Sequence, residues 1–341
     1  MEQPLPPSSS SPSTAPELIG GCRLLRLIGR GGSAEVYEAE HIGLAKHVAV
    51  KLLRRELCAH PLSRERTRFE AQSLARLQHP NIPAISDCGH TADGRPFMVM
   101  ELLQGRSLQR ELRRRGSLPV QEAVEIAQQV LAGLGAAHAL GIVHRDVKPA
   151  NLFVCVNEHG RRTIKILDFG IAKAMPGAVD AGAPPPPTIP TEEGFLLGTP
   201  SFLSPEQILC QPVDARTDVY GTALVLYEML SGRNPFEHTS QLELLEAHVS
   251  ERPRPPSALA SQPIPPELDD VVLRGLKKKP DDRWSSTEDF SWALGMACAR
   301  VDVAPLSVTS APRATWVAPL LVMIAAAVIS ALATLGFCQV W

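Results

Sequence analysis

The chain carries the segment HRDVKPAN at residues 144–151 and the tripeptide DFG at residues 168–170, the most informative part of its sequence. A carboxylate, a cation and an amide lie within six positions of one predicted loop. Asp146 can accept a proton from a hydroxyl group, and Lys148 can neutralise a phosphate oxygen. Each residue alone is equally explained by a capped turn or a solvated charge, but together their order and spacing are highly specific.

The same two segments offer ligands for a hard cation. Asn151 and Asp168 supply oxygen atoms, which Mg²⁺ prefers as ligands. The seven cysteines, by contrast, lie far apart and form no CxxC pair. This spacing argues against a zinc module or a disulfide scaffold, and it suits a reducing compartment.

A glycine-rich turn, GRGGSAEV, spans residues 29–36 between the first two predicted strands. Glycines allow a backbone to lie close over phosphates and to turn its N–H groups toward them, although an ordinary hairpin explains such a turn equally well. The next predicted strand ends in Lys51, whose ammonium group needs a partner. Glu70, on the helix that follows, can supply one; taken alone, this pair fits a surface ion pair at least as well.

Short apolar runs predict strands in the first third of the chain, and longer periodic runs predict helices afterwards. The stretch 219–230 carries one charge and is too short to cross a bilayer, so it predicts a helix buried in a core. The fold class is therefore α+β, with a small strand-rich lobe, a larger helical lobe and a cleft between them. The predicted strands are 23–28, 36–40, 47–53, 85–89 and 96–100, and the predicted helices are 64–77, 123–137, 219–230, 242–249, 267–276 and 287–299.

Composition excludes several classes of function. The 34 basic and 36 acidic residues give a net charge of −2, so no nucleic-acid partner is expected. A hydrophobic content of 44% excludes wholesale disorder. At about 150 residues per domain, 341 residues allow roughly two folded units.

In these motifs the sequence resembles the protein kinase superfamily, and most closely the bacterial, eukaryotic-like (Hanks-type) serine/threonine kinases that carry a transmembrane helix. The resemblance covers about residues 18–298. It implies a bilobal fold and transfer of the ATP γ-phosphoryl group to Ser or Thr hydroxyls of proteins. Lys148 within HRDVKPAN resembles the serine/threonine form of this loop and differs from the tyrosine form.

The resemblance also implies a role for each site residue. Asp146 is expected to be the catalytic base, with Lys148 beside it. Asn151 and Asp168 are expected to hold two Mg²⁺ ions, with Mn²⁺ as an alternative. The residues expected to bind ATP are Ile28, Gly29, Arg30, Gly31, Gly32, Val36, Ala49, Lys51, Glu70, Met100, Glu101 and Leu103.

Within that set, Lys51 is expected to hold the α- and β-phosphates and to pair with Glu70. Met100 and the residues after it resemble the hinge, where backbone groups bind adenine. Ala34 replaces the third glycine of the loop, which is expected to alter nucleotide affinity without abolishing activity.

A protein substrate is implied by the segment GTPSFLSPE at residues 198–206, which resembles the GTP…APE segment of the family with Ser204 in place of alanine. Small-molecule kinases of related fold generally lack this segment. Glu206 is expected to pair with Arg283, and Asp218 is expected to brace the HRD loop.

Residues 171–197 resemble an activation segment and are rich in proline. A run of prolines favours an extended, solvated conformation. Thr188 and Thr191 lie beside this run. A phosphate on either residue could pair with Arg145, so autophosphorylation at Thr188 or Thr191 is a hypothesis from charge.

The C-terminal stretch WVAPLLVMIAAAVISALATLGF at residues 316–337 has no charge on any face. At ~1.5 Å per residue it is long enough to cross a hydrocarbon core of ~30 Å. It predicts a single-pass anchor that leaves the kinase domain cytoplasmic, and a buried C-terminal helix is the alternative. A stripe of small residues (Ala326, Ser330 and Thr334) weakly suggests self-association through this helix, alongside self-association through the kinase domain.

Two alternative functions remain compatible with the sequence. The first alternative is a catalytically inactive nucleotide-binding scaffold. The second is a membrane-tethered adaptor whose proline runs, Pro184–Pro187 and 251–266, recruit partners.

The sequence predicts five units along the chain. They are a Pro/Ser-rich disordered tail (1–17), a kinase domain (18–298, with lobes 18–103 and 104–298), a juxtamembrane linker (299–315), a transmembrane helix (316–337) and a short tail (338–341).

Overall fold

The computed structural model describes residues 18–31, 34–54, 77–156, 160–169 and 200–299. The predicted helix over 64–77 lies outside this part of the chain except for its last residue, as do Gly32, Glu70, the segment 170–199 and the C-terminal stretch 316–337. Among the described residues, no helix combines the length and apolar character needed to span a membrane.

A six-stranded antiparallel sheet forms the small lobe and contains the five predicted strands and one further short strand at its start. The strands are β1 (Leu18–Ile19), β2 (Cys22–Arg30), β3 (Ala34–His41), β4 (Lys46–Leu53), β5 (Ile85–His90) and β6 (Pro96–Glu101). Their spatial order is β1-β2-β3-β4-β6-β5.

One apolar core holds this sheet together. Val50 and Val99 are fully buried on neighbouring strands, and the Phe97 ring packs with them. Gly20 has φ +55° and lies against the Phe97 ring, where any Cβ would overlap it. Glycine is therefore required here by both backbone conformation and space, and the contact brings the start of the sheet against β6.

Helices and a small second sheet form the large lobe. The strands β7 (Gly105–Ser107), β8 (Leu152–Val156) and β9 (Arg162–Ile166) pair in that order. The helices are α1 (Leu108–Arg115), α2 (Val120–His138), α3 (Pro205–Ile208), α4 (Ala215–Ser231), α5 (Gln241–Ser250), α6 (Pro266–Gly275) and α7 (Thr287–Ala299).

Helix α4 is the centre of the large lobe. Almost all of its residues are buried, as the nearly uncharged run 219–230 predicts. Asp214 caps its N-terminus by accepting a hydrogen bond from the Arg216 N–H, and Gly232 ends it in the left-handed conformation with φ 77°. A Cβ on Gly221 would lie 2.9 Å from Cβ of Val147, so this glycine lets the helix approach the loop 144–151 closely.

Candidate active site

The loop 144–151 is braced by one buried carboxylate. Asp218, in the first turn of α4, is 1% exposed. It accepts hydrogen bonds from the backbone N–H groups of His144 and Arg145, both at 2.8 Å, and from His138 Nε2 at 2.7 Å. Arg145 has φ +64°, which costs energy for a residue with a side chain. The two bonds from the loop backbone hold Arg145 in this conformation and confirm the bracing role expected of Asp218 from the sequence.

His144 connects this loop to the segment that carries Asp168. Its ring is fully buried, and Nε2 lies 2.8 Å from the carbonyl oxygen of Leu167. A carbonyl only accepts, so Nε2 carries the hydrogen, and Nδ1 accepts the Asp146 N–H at 3.2 Å. The ring also packs against Phe169, with centroids 4.8 Å apart. Sequence reasoning missed this role, which depends on contacts between distant segments.

Asp146, Lys148 and Asn151 form one polar cluster. Asn151 Nδ2 donates to the Asp146 carbonyl oxygen at 2.9 Å and to Asp146 Oδ2 at 3.0 Å. Lys148 Nζ lies 2.9 Å from the same Oδ2. The structure thus brings together the three residues that the sequence grouped by spacing, and it holds the carboxylate of Asp146 by two side chains of its own loop.

An ion pair joins the two lobes across the cleft. Lys51 on β4 places Nζ 2.6 Å from Oδ1 of Asp168, which follows β9. Burial acts to raise the pKa of Asp168, but the charge and the hydrogen bond of Lys51 outweigh it, so the pKa lies below the usual range. Asp168 is therefore ionised at neutral pH, which is the form that binds cations. Its φ of +56° is a second strained backbone position at this site.

The oxygen atoms of Asn151 and Asp168 suit a hard divalent cation that is bound together with a phosphate ligand. The side-chain nitrogen of Asn151 donates to Asp146, which leaves its Oδ1 available as a ligand. The N–H of Leu167, the residue before Asp168, donates to the Asn151 carbonyl at 2.7 Å, so the two candidate ligands belong to paired segments. The described residues contain no cluster of three or more His, Cys, Asp or Glu side chains that could hold a metal alone. Mg²⁺ commonly takes one or two protein oxygens and completes its shell with phosphates and water.

Strand register places the expected nucleotide-binding residues on one region of the small lobe. Val36 on β3 pairs with Lys51 on β4, and Ala49 on β4 pairs with Met100 on β6. Gly29 pairs with Val36 at the other side of β3. Ile28, Arg30, Gly31 and Leu103 are also described, whereas Gly32 and Glu70 are not.

Glu101, at the end of β6, connects the two lobes through its side chain. Its Oε2 accepts a hydrogen bond from Lys165 Nζ on β9 at 2.7 Å, and its own N–H donates to the Ala84 carbonyl at 2.9 Å. The sequence predicted backbone recognition of a ligand at this position. The ion pair with Lys165 is a separate contact that the sequence did not reveal.

A buried ion pair anchors the segment that ends in α3, whose described residues are 200–208. Glu206 and Arg283 form a bidentate pair at 2.8 and 2.7 Å, and both side chains are almost fully buried. Arg283 also donates to the carbonyls of Lys277, Arg216 and Lys278, so all its donors have partners. Burial acts to raise the pKa of Glu206, but the hydrogen bonds and charge of Arg283 outweigh it and lower that pKa. The expected pairing of Glu206 with Arg283 is confirmed.

Comparison with known protein families identifies the family of this chain. The family model described as the protein kinase domain matches residues 22–292. The chain belongs to the protein kinase family. Its kinase domain is 40% identical over 292 residues to the serine/threonine-protein kinase PksC of Streptomyces coelicolor, with 83% of this chain and 50% of that protein covered.

Two further comparisons agree. The serine/threonine-protein kinase PknB of Mycobacterium leprae is 38% identical over 281 residues, which cover 82% of this chain and 43% of that protein. The crystal structure of the Mycobacterium tuberculosis PknI kinase domain matches with a TM-score of 0.64 and 28% identity, and it covers 83% of this chain and 99% of that one. The match therefore spans about half, or less, of the length of PksC and PknB. The bilobal fold expected from the sequence is confirmed.

Proposed function

We propose that the chain is a serine/threonine protein kinase that transfers the γ-phosphoryl group of ATP to Ser or Thr hydroxyls of protein substrates. The observation that carries this proposal is the contact of Lys51 with Asp168 at 2.6 Å, beside the cluster of Asp146, Lys148 and Asn151. An inactive scaffold would have no need of these five residues in this arrangement. The named serine/threonine kinases among its relatives support the acceptor class.

Each site residue has its own role in the proposed phosphoryl transfer. ATP with Mg²⁺ supplies the phosphoryl group and the cations that neutralise developing charge. The Asp146 carboxylate, held by Lys148 and Asn151, accepts the proton of the incoming hydroxyl group. The ammonium group of Lys148 stabilises negative charge next to it. With ATP and Mg²⁺ bound, Lys51 would hold phosphate oxygens, and the oxygens of Asp168 and Asn151 would hold the cations.

The test of this function is transfer of labelled phosphate. The full-length chain is incubated with [γ-³²P]ATP, Mg²⁺ and a generic basic protein, and the hydrolysed product is analysed for phosphoamino acids. Label on phosphoserine or phosphothreonine supports the proposal. Nucleotide binding without any transfer would instead identify the scaffold, and label confined to phosphotyrosine would contradict the acceptor class.

Lys51→Met is expected to abolish most phosphoryl transfer while the domain stays folded. The Lys51 side chain is 12% exposed and belongs to neither apolar core cluster, so its loss removes a phosphate contact and the partner of Asp168 without opening the core. We expect weaker binding of ADP by calorimetry and an almost unchanged unfolding midpoint. Unchanged transfer in the variant would rule out this role for Lys51.

Phosphorylation at Thr188 or Thr191 is proposed as the activating modification. Nε of Arg145 is buried and has no hydrogen-bond partner among the described residues, and a phosphate would supply one. Phosphopeptide mass spectrometry after incubation with ATP is expected to find phosphate on one of these two threonines. Phosphate found only at other residues would refute the proposal.

We further propose that residues 316–337 anchor the chain in the cytoplasmic membrane as a single span, with the kinase domain in the cytoplasm. Their apolar character and length support this proposal. Membrane fractionation of the intact chain and of a variant lacking these residues tests it. The intact chain should resist extraction by carbonate and the variant should not; equal behaviour would exclude the anchor. Self-association through this helix or the kinase domain would be measured on the same two proteins by sedimentation in detergent.

A further inference from the structure

We propose that Gln207 is a positioning residue for Asp146 and couples the segment ending in α3 to the catalytic base. This inference rests on the proposed kinase activity, because it concerns the placement of the base of that reaction. It begins from a contact between residues 62 positions apart: Gln207 Nε2 donates to the carbonyl oxygen of Arg145 at 2.8 Å.

The contact acts on the peptide group that joins Arg145 to Asp146. The carbonyl oxygen of this group accepts from Gln207 at 2.8 Å, and its N–H donates to His144 Nδ1 at 3.2 Å. The preceding N–H, that of Arg145, donates to Asp218 at 2.8 Å. Among the described residues the backbone before the base is therefore held on three sides, and the bond from Gln207 comes from α3, an element separate from the loop and α4.

The strained backbone at Arg145 makes this contact important. A residue with φ +64° relaxes when the bonds around it are removed. A change in the ψ angle of Arg145 turns the peptide group before Asp146 and displaces the Cα of Asp146 together with its carboxylate. The hydrogen bond from Gln207 to the Arg145 carbonyl opposes this change, because turning the peptide group breaks the bond.

The side-chain amide of Gln207 is held in a single orientation by its other contact. Its Oε1 accepts from the backbone N–H of Ser204 at 3.0 Å and from the Ser204 hydroxyl at 3.1 Å. An N–H group only donates and a carbonyl only accepts, so a flipped amide would break both the Ser204 contact and the Arg145 contact. The donor of Gln207 is therefore preorganised toward the loop.

Helix α3 gives Gln207 a rigid base. The neighbouring residue Glu206 is fixed by Arg283 and also accepts from Thr217 Oγ1 at 2.5 Å. The described residues before α3 begin at Pro200 and lead directly into the helix through Ser204, its N-cap. Gln207 therefore links this stretch and α3 to the carbonyl before the base.

The test compares Gln207→Leu with a matched variant in the full-length chain. Gln262 also donates its side-chain amide to a backbone carbonyl, that of Leu118 at 2.6 Å, but it lies away from the loop 144–151. Gln262→Leu therefore removes the same kind of bond without affecting the base. Gln207→Met, which keeps the length of the side chain, is the second variant should Gln207→Leu fold poorly.

Four quantities are measured: kcat and KM for peptide phosphorylation, the dissociation constant of ADP, and hydrogen exchange of the peptide covering 142–151. In Gln207→Leu we expect kcat to fall roughly 10- to 100-fold, since small displacements of a catalytic group have effects of this size. The ADP constant should change by less than about two-fold, because the phosphate-binding residues are untouched. Exchange in 142–151 should be faster.

The possible results separate the two proposals. If Gln207→Leu keeps the kcat of Gln262→Leu and the exchange of the wild type, the positioning role is refuted. If kcat falls only in proportion to the loss of folded protein, the role is structural and the inference is likewise refuted. If the wild type itself transfers no phosphate, the proposed function fails, and the exchange of 142–151 alone then decides whether Gln207 holds the loop.

Discussion

Asp146→Asn is expected to lower kcat for phosphoryl transfer by roughly 10²- to 10⁴-fold, the range that a positioned general base contributes. Asparagine has nearly the same shape but cannot accept the hydroxyl proton. Its side-chain oxygen can still accept the hydrogen bonds that Asn151 and Lys148 now donate at 3.0 and 2.9 Å. The loop therefore keeps its conformation, and the loss falls on the chemical step.

Two measurements distinguish this loss from unfolding. The dissociation constant of ADP should stay close to the wild-type value, because Lys51 and Asp168, the residues proposed to hold the phosphates and a cation, are unchanged. The unfolding midpoint should change little. Transfer by Asp146→Asn at the wild-type rate would show that another group takes the proton.

The largest expected effect on stability is that of Arg283→Met. The substitution leaves the carboxylate of Glu206 buried without its bidentate partner. Breaking a buried ion pair on one side costs about 3–5 kcal/mol in free energy of unfolding. Urea denaturation of the wild type and of Arg283→Met measures this difference in free energy of unfolding.

An exposed ion pair provides the control for Arg283→Met. Arg23 on β2 lies 4.0 Å from Glu40 on β3, and the two side chains are 47% and 37% exposed. Exposed pairs contribute about 0–1 kcal/mol, so Arg23→Met should change the free energy of unfolding by no more than that. Equal losses in both variants would contradict the view that burial makes the Glu206–Arg283 pair important.

The Glu206–Arg283 pair also predicts how the free energy of unfolding depends on pH. The pKa of Glu206 is lowered in the folded chain, so the unfolded chain binds the proton more readily. The contribution of the pair is fully present above the ordinary pKa of a glutamate and is lost as the pH falls through the lowered value. In Arg283→Met this part of the acid sensitivity should disappear.

The strands of the small lobe were predictable because their sequences repeat with a period of two or form buried runs. The runs 47–53 and 96–100 correspond to β4 and β6 within one or two residues. The buried helix α4 was predictable from the absence of charge over 219–230. In each case the burial pattern of one local segment carries the information.

The small sheet of β7, β8 and β9 was missed for a physical reason. Its strands have only three to five residues, and β7 pairs with β8 across roughly fifty positions of the chain. Such pairing is set by the packing of the lobe and leaves little trace in local sequence.

Contacts that position the site residues were also beyond sequence reasoning. The motif spacing grouped Asp146, Lys148 and Asn151, which do lie together. The ring of His144 and the amide of Gln207 reach partners 23 and 62 positions away, respectively. Only the folded chain shows which polar groups complete one another.

The most direct test of the account is a crystal structure of the chain with Mn²⁺ and a non-hydrolysable ATP analogue. Anomalous scattering should locate manganese at the oxygens of Asp168 and Asn151, with Lys51 on the phosphates and the carboxylate of Asp146 facing the terminal phosphate. Manganese elsewhere, or a carboxylate of Asp146 turned away from the nucleotide in every copy, would contradict it.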